Sequence, residues 1–260
     1  MSIITLTTDF GLNDWFVGTM KGVILRIHPH AAIVDLTHGI PSGDIRAGAF
    51  ALAAGYRYFP RGTIHVAVVD PGVGGPRAGI VVQTAEYFFV GPDNGVLSLA
   101  LRREKVKTIR RLENARCFLQ PVSNTFHGRD LFAPVAAHLS RGLRCPRLGP
   151  VFKDHVRLSW PQCAVQSGAL RGEVICLDRF GNAITNIENE HVSPADAVGM
   201  FVRGQAFVPV KSFYQAVPKG KPVAVPGSSG FLEIAVNGGN AARRLKLKIG
   251  TAVLVKRRRG

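Results

Sequence analysis

Two periodicities of apolar and polar residues alternate along the first half of the chain. Short β-rich runs at Ile3–Thr7, Ala32–Leu36 and Ile64–Val69 predict strands. Between these runs, apolar residues recur at helical spacing from Trp15 to Ile27 and from Ile45 to Tyr58. This β-α-β-α-β order predicts a parallel sheet covered on both faces, and ligands of such sheets bind at the carboxyl ends of the strands.

Three further elements are predicted in the first half. Two strands are expected at Gly79–Thr84 and Tyr87–Val90. Residues Leu131–Leu139 carry a helical pattern that begins near His127. The residues that follow each strand are therefore the first places to look for ligand-binding side chains.

The pattern changes near Pro150. Downstream of it, short alternating runs are separated by turns: GEVICLD, NAITNI, FVPV, PVAVP, FLEIAV and TAVLV. Such runs predict a smaller all-β domain of the barrel or sandwich kind. We expect an α/β domain with a mainly parallel sheet at residues 1–150, a linker at 151–168 and a β-rich domain at 169–260.

Charge and composition argue against a nucleic-acid-binding surface and against a membrane span. The chain has 33 basic and 17 acidic residues, a net charge of +16, which attracts polyanions. Its basic runs contain no interleaved aromatic residues for base stacking, so we expect solvated faces rather than a nucleic-acid surface. No stretch has the length of a membrane span, and no basic leader precedes the first strand, so a cytoplasmic location is expected.

Cysteine spacing gives no sign of a metal site. Cys117, Cys145, Cys163 and Cys176 form neither a CxxC pair nor a spacing with histidine that suits zinc. We therefore expect free thiols, no disulfides and no metal.

Candidate catalytic residues follow the predicted strands. Asp9 lies after the first strand in TLTTDFG, and Asp70 and Arg77 follow the third in VAVVDPGVGGPR. His127 lies in NTFHGRD, ahead of a predicted helix. Each acid could instead serve a turn or a helix N-cap, and the histidine could cap its helix.

A second group of polar residues lies on turns of the β-rich half. These are Asp178 and Asn182 in CLDRFGNAITN, and Ser228, Ser229, Asn237 and Gly239 in VPGSSGFLEIAVNGGNAA. Ordinary turn chemistry is the alternative reading. The glycines match neither a P-loop nor a GxGxxG fingerprint, so a phosphate ligand is not predicted.

Five motifs occur in order along almost the whole chain: TTDFG, VVDPGVGxxR, TFHGRD, DxFGN and SSGxLEIAVNxGNA. Together they resemble the S-adenosyl-L-methionine hydroxide adenosyltransferase family, whose relatives include fluorinase and chlorinase. The resemblance implies an α/β domain, a β-rich domain and a homotrimer with sites at subunit interfaces. It also implies cleavage of S-adenosyl-L-methionine, as substrate rather than cofactor, by water into adenosine and L-methionine.

The resemblance assigns catalytic roles to Asp70, Arg77 and His127. An ordinary Asp of pKa about 3.9 cannot ionise water of pKa about 15.7 in advance, because the gap of about 12 units is roughly 16 kcal/mol. Our hypothesis is that Asp70 and His127 orient the water and take its proton as attack proceeds, while Arg77 fixes Asp70.

The resemblance also assigns substrate-binding roles. Asp9 matches the acid that binds the ribose hydroxyls, and Tyr214 falls where an aromatic residue stacks on adenine. The remaining positions match residues that contact adenine through the backbone, Asn237 and Gly239, or the ribose and methionine moieties, Asp178, Asn182 and Ser229.

Two departures from the halogenases matter. The halogenases carry an aromatic residue where Asp70 stands and lack the Asp-Arg-His set, which favours water over halide here. The small residues of PSGD, Pro41–Asp44, stand where fluorinase has a tryptophan beside the ligand, so the resemblance does not define that wall of the pocket. The alternatives are a chloride-using adenosyltransferase and a basic nucleic-acid-binding protein without catalysis. A methyltransferase of the Rossmann type is disfavoured, since no glycine-rich loop follows Thr7.

Overall fold

The computed structural model describes residues 2–166, 168–192, 197–204 and 206–257. The chain divides into two compact units, Met1–Leu158 and Ser159–Gly260. The domain limits 150 and 168 remain our sequence-based proposal. Among the described residues, every helix is too short or too polar to span a membrane.

The first unit is an α/β domain, and the predicted fold class is confirmed. Its strands and helices are β1 Ile3–Thr8, α1 Phe16–Ile27, β2 Ala32–Thr37, α2 Ile45–Gly55, β3 Ile64–Val68, β4 Gly79–Thr84, β5 Phe88–Pro92, α3 Ser98–Leu101, β6 Val106–Arg111 and α4 Ala133–Ser140. The sheet order is β2-β1-β3-β5-β4-β6.

The sheet is parallel at its centre and antiparallel at one edge. Strand β1 pairs in parallel with β2 and β3, and β3 pairs in parallel with β5. Strand β4 is antiparallel to both β5 and β6. Only Ala85–Tyr87 separate β4 from β5, a link too short for the crossover that a parallel pair requires.

Helices cover both faces of this sheet. On one face, Met20 and Ile24 of α1 pack with α4 against β1 and β3. On the other, Leu52 of α2 and Tyr56 of the following 3-10 turn pack against Val69 and Phe89. The carboxyl ends of the parallel strands are therefore left to the loop residues that follow each strand.

The second unit is a nearly closed antiparallel barrel. Its elements are β7 Ala164–Gln166, β8 Ala169–Leu177, β9 Ala183–Glu188, β10 Ala197–Val202, β11 Ala206–Val208, β12 Pro222–Pro226, β13 Phe231–Val236, α5 Ala241–Arg244 and β14 Ala252–Arg257. The order is β11-β10-β14-β8-β9-β13-β12, and β7 pairs with β8. A bridge between Val210 and Ala224 draws the two ends of this order together.

Several element limits differ from the sequence analysis. Helix α2 ends at Gly55 and passes into a 3-10 turn, so the predicted helix to Tyr58 is too long. Strand β6 was not predicted, because only Ile109 of its six residues is buried and the run is largely basic. Helical structure begins directly after His127, as predicted, but its first turn, Gly128–Phe132, is π-helical and α4 follows from Ala133.

Candidate active site

An ion pair forms at the carboxyl end of β3. Nε of Arg77 donates to Oδ1 of Asp70 at 3.0 Å, and Nη2 donates to Oδ2. The two side chains are 12% and 4% exposed, respectively. A two-point contact of this kind fixes the plane of the carboxylate as well as its position.

Glycines allow the turn between Asp70 and Arg77 to fold closely. Gly74 has φ +77°, and a Cβ there would overlap the carbonyl oxygen of Asn124. A Cβ at Gly72 would lie 3.7 Å from Cγ of Arg77. The turn therefore packs directly on the segment that leads to His127.

His127 completes the cluster through Arg77. Nη2 of Arg77 lies 2.6 Å from Nδ1 of His127. The residue sits at the start of the π-helical turn, but its side chain makes no capping hydrogen bond. His127 therefore occupies the N-cap position, but its side chain does not cap the helix.

The contact with Arg77 also assigns the protonation of His127. A guanidinium has only donors, so Nδ1 must accept and the proton of the neutral ring resides on Nε2. Burial lowers the pKa of His127, and the charge of Arg77 lowers it further, against smaller opposing effects of Asp70 and Asp130. The side chain is thus a neutral donor at Nε2.

Asp70 and His127 line a cavity of about 160 Å³ in the first unit. Its other lining residues are Phe10, Phe16, Val68, Val73, Thr125, Phe126 and Gly128. Phe10, Phe16 and Phe126 pack on one another with ring centroids 5.2–5.8 Å apart. The cavity therefore offers a carboxylate, an imidazole and the hydroxyl of Thr125 in an otherwise apolar setting, which strengthens electrostatic interactions.

Asp9 lies directly after β1, at the carboxyl end of a parallel strand, where ligands of such sheets are expected to bind. One carboxylate oxygen accepts the backbone N–H of Gly43 at 2.7 Å. Helix α1 has Trp15 at its N-cap without a side-chain hydrogen bond, so Asp9 is not its cap. The PSGD loop thus contacts Asp9, and its Asp44 caps α2 by accepting from Ala47 N–H.

In the second unit, Asp178 holds Asn182. Oδ1 of Asp178 accepts the backbone N–H of Asn182 at 2.7 Å, and Oδ2 accepts its side-chain amide at 2.9 Å. This pair braces the turn between β8 and β9. Within this unit, the Asp178 carboxylate supports Asn182.

Asn182 and Tyr214 line a cavity of about 740 Å³ in the second unit. The other lining residues are Phe180, Phe213, Gln215, Ala235, Val236, Asn237, Gly238 and Gly239. The volume and the aromatic lining suit a small organic ligand. Ser229 lies on the turn before β13, where its Oγ is buried without a hydrogen-bond partner among the described residues.

Asn237 and Gly239 are engaged in turn hydrogen bonds. The Asn237 N–H donates to Lys221 O, its carbonyl accepts from Gly220 N–H, and its side chain donates to Val217 O. The Gly239 N–H donates to Val236 O. Since both N–H groups are already used, a backbone contact to adenine from these residues would have to use a carbonyl oxygen.

Glu233 was missed by the sequence analysis. It accepts a hydrogen bond from the Tyr214 hydroxyl in the middle of β13, and is 6% exposed. The signal was present, since FLEIAV places one acid inside an otherwise apolar strand. A buried acid of this kind requires a partner.

One group of side chains has the composition of a metal site. Glu188, Glu190 and His191 bring one ligand atom each within 4.8 Å of one another at the barrel surface. Two of these three residues are exposed. Exposed acidic groups often meet in this way without an ion, and the motifs do not include them.

Family models cover both units. The description "SAM hydroxide adenosyltransferase N-terminal domain" matches residues 4–149, and the corresponding C-terminal domain matches residues 172–254. The chain belongs to this family. The five motifs of the sequence therefore identified the family correctly.

Relatives of two kinds resemble this member of the family. An "(R)-S-adenosyl-L-methionine hydrolase" from Thermus thermophilus is 41% identical, over 97% of this chain and 99% of its own length. A protein of the same name from Methanocaldococcus jannaschii is 35% identical, over 95% of this chain and 93% of its own length. A "Fluorinase" from Actinoplanes sp. is 27% identical, over 97% of both chains.

A solved structure has the same fold. The crystal structure of an uncharacterized conserved protein from Thermotoga maritima superposes with a TM-score of 0.92 at 38% identity, over 99% of this chain and all of that one. The architecture described above is therefore that of the family.

Proposed function

We propose that the protein is a hydrolase of S-adenosyl-L-methionine that produces adenosine and L-methionine. The Asp70–Arg77–His127 cluster at the apolar cavity carries the proposal, because it supplies groups that orient and deprotonate a water. Proteins named as hydrolases of this substrate are 35–41% identical to the chain, and the fluorinase is more distant at 27%.

The reaction balances without a general acid. The water oxygen forms a bond to ribose C5′ while the bond from C5′ to sulfur breaks, and its electron pair returns to sulfur. The sulfonium becomes a neutral thioether, so the leaving group needs no proton. One proton is released from the attacking water, and the protein has to provide for it.

Asp70 takes this proton in the proposed mechanism. His127 has Nδ1 occupied by Arg77 and a proton on Nε2, so it donates to the water rather than accepting from it. We therefore revise the initial hypothesis that His127 shares the proton. Each oxygen of Asp70 accepts from Arg77 and keeps a second lone pair for the water.

Substrate binding is proposed for the remaining candidates. Asp9 would bind the ribose hydroxyls, Tyr214 would stack on adenine, and Ser229 has an unpartnered Oγ among the described residues that suits a polar ligand atom. Asp178 would act by holding Asn182. The proposal requires no cofactor or metal.

We also propose a cytoplasmic homotrimer, on the family resemblance. Each site would be shared between the first domain of one subunit and the second domain of a neighbour. Multi-angle light scattering of the purified protein would give the mass of three chains if this is correct, and the mass of one or two chains if it is not.

The test of the activity is incubation with S-adenosyl-L-methionine in oxygen-18 water, with and without chloride, followed by liquid chromatography with mass detection. Adenosine labelled at the 5′ oxygen, in equal amount to methionine, is the expected result. The product 5′-chloro-5′-deoxyadenosine would indicate halide attack instead. Unchanged substrate under all conditions would exclude the proposed activity and favour a binding role.

A further inference from the structure

Glu233 is a buried carboxylate that the proposed chemistry does not use. It lies in the middle of β13, paired with Val225 of β12 and Ile184 of β9. Its neighbours Leu232 and Ile234 face the barrel core. Because side chains alternate along a strand, Glu233 shares the opposite face with Ala235, which lines the 740 Å³ cavity.

The carboxylate is tied to one residue of that cavity. The Tyr214 hydroxyl donates to Oε1 of Glu233. Tyr214 lies in a single 3-10 turn, Tyr214–Ala216, and is 45% exposed. Because nearly half of this side chain is exposed, core packing restrains only part of it, and the hydrogen bond to the buried strand β13 adds a restraint on the ring orientation.

Burial, nearby charges and the space beside Gly227 all affect the hydrogen bond between Glu233 and Tyr214. Burial raises the pKa of Glu233, the hydrogen bond from Tyr214 opposes that rise, and the charge of Asp178 adds to it. Burial and the carboxylate raise the pKa of Tyr214 to about 12, so the hydroxyl remains a donor at neutral pH. Gly227 leaves room for the carboxylate, since a Cβ there would lie 2.5 Å from Oε2.

We propose that Glu233 is a positioning residue that holds the Tyr214 ring in the orientation needed to stack on the adenine of the substrate. Adenine as the ligand rests on the proposed function, whereas the Glu233–Tyr214 contact does not. Base stacking on an aromatic ring typically contributes between about fivefold and 150-fold to affinity. If the Tyr214 ring turned freely, part of this gain in affinity would be lost.

The test compares Glu233→Leu, Glu233→Gln and Tyr214→Phe with the wild type. For each, KM and kcat are measured by adenosine formation, and the dissociation constant of adenosine by isothermal titration calorimetry. Glu233→Leu and Tyr214→Phe should each raise KM and the adenosine dissociation constant about tenfold, with kcat within about threefold, because stacking on the adenine is the same in the bound substrate and in the transition state. Glu233→Gln keeps an acceptor oxygen and should stay within about threefold of wild type.

Two further variants separate positioning from a general loss of stability. In the first unit, the Tyr56 hydroxyl donates to Oε1 of Glu104 at 2.9 Å, a tyrosine–glutamate pair that lines neither of the two cavities. Glu104→Leu should lower the melting temperature without a change in KM or adenosine affinity. The double variant of Glu233→Leu with Tyr214→Phe should bind adenosine no more weakly than either single variant, since both remove one contact.

The outcomes are distinguishable. Wild-type adenosine affinity in a folded Glu233→Leu protein, or in Tyr214→Phe, overturns the positioning role. If the wild type binds adenosine but releases no methionine, the proposed hydrolysis fails, and the affinities of the variants still decide the role of Glu233. If the wild type binds no adenosine, the positioning role is overturned, and the release of methionine decides the proposed hydrolysis separately.

Discussion

Replacement of Asp70 by asparagine separates the charge of this residue from its shape. The amide keeps one oxygen that can accept from Nε of Arg77, but its NH₂ group then faces the donors at Nη2. The Arg77 side chain, 12% exposed, is left without a counter-charge. Removal of one partner from a buried ion pair typically costs about 3–5 kcal/mol.

Two consequences are expected from this substitution. In a domain of this size a loss of about 1 kcal/mol lowers the melting temperature by roughly 2–4 °C, so Asp70→Asn should lower it by roughly 6–20 °C. Loss of the proton acceptor should reduce kcat by about 10²–10⁴-fold. The first is measured by calorimetry, and the second by adenosine formation well below the new melting temperature.

A second ion pair provides the control. Asp130 accepts from Nε and Nη2 of Arg129 at 2.6 and 3.0 Å and is fully buried, but it does not line the cavity. Asp130→Asn should lower the melting temperature while kcat stays within about tenfold of wild type. Turnover by a folded Asp70→Asn protein within a few-fold of wild type would refute the role of Asp70 as proton acceptor.

Three further predictions follow from single residues. His127→Gln keeps a side-chain N–H donor and should retain at least about tenfold more activity than His127→Ala; equal activities would contradict a donor role. Gly74→Ala should destabilise the protein by about 1–3 kcal/mol more than Gly62→Ala because of steric overlap, measured by urea denaturation. Both glycines have positive φ, but only the Cβ at position 74 meets Asn124. Burial lowers the pKa of His65 to about 3, below its ordinary value of about 6.5. Unfolding then takes up a proton, so stability should fall as pH drops below about 6.5 towards 3, and His65→Phe should show a weaker fall in urea denaturation at several pH values.

The elements that bury a regular face could be predicted from sequence. Strands β1 and β3 are buried along almost their whole length and so appear as short apolar runs, whereas helix α1 buries one face and so shows helical periodicity. Because ligands of parallel sheets bind at the carboxyl ends of the strands, Asp9 and Asp70 could be chosen as candidates from the sequence alone. Strand β6 was not predicted, because an edge strand with one buried residue has almost no apolar pattern.

Contacts between distant residues could not be predicted from local patterns. His127 meets Arg77 across 50 positions of sequence, so its tautomer depends on a tertiary contact. Tyr214 meets Glu233 across 19 positions, and although FLEIAV marks Glu233 as an acid within an apolar strand, it does not identify Tyr214 as the partner. The family resemblance supplied the catalytic set, but it did not indicate which of its members can accept a proton.

The small space beside Gly227 has a consequence for the evolution of this barrel. A Cβ at position 227 would overlap the carboxylate of Glu233. The same Cβ would also lie 2.8 Å from the backbone carbonyl oxygen of Phe231, so a shorter residue at 233 would remove only one of the two overlaps. In an alignment of relatives, glycine should therefore persist at 227 even in lineages where Glu233 and Tyr214 have changed.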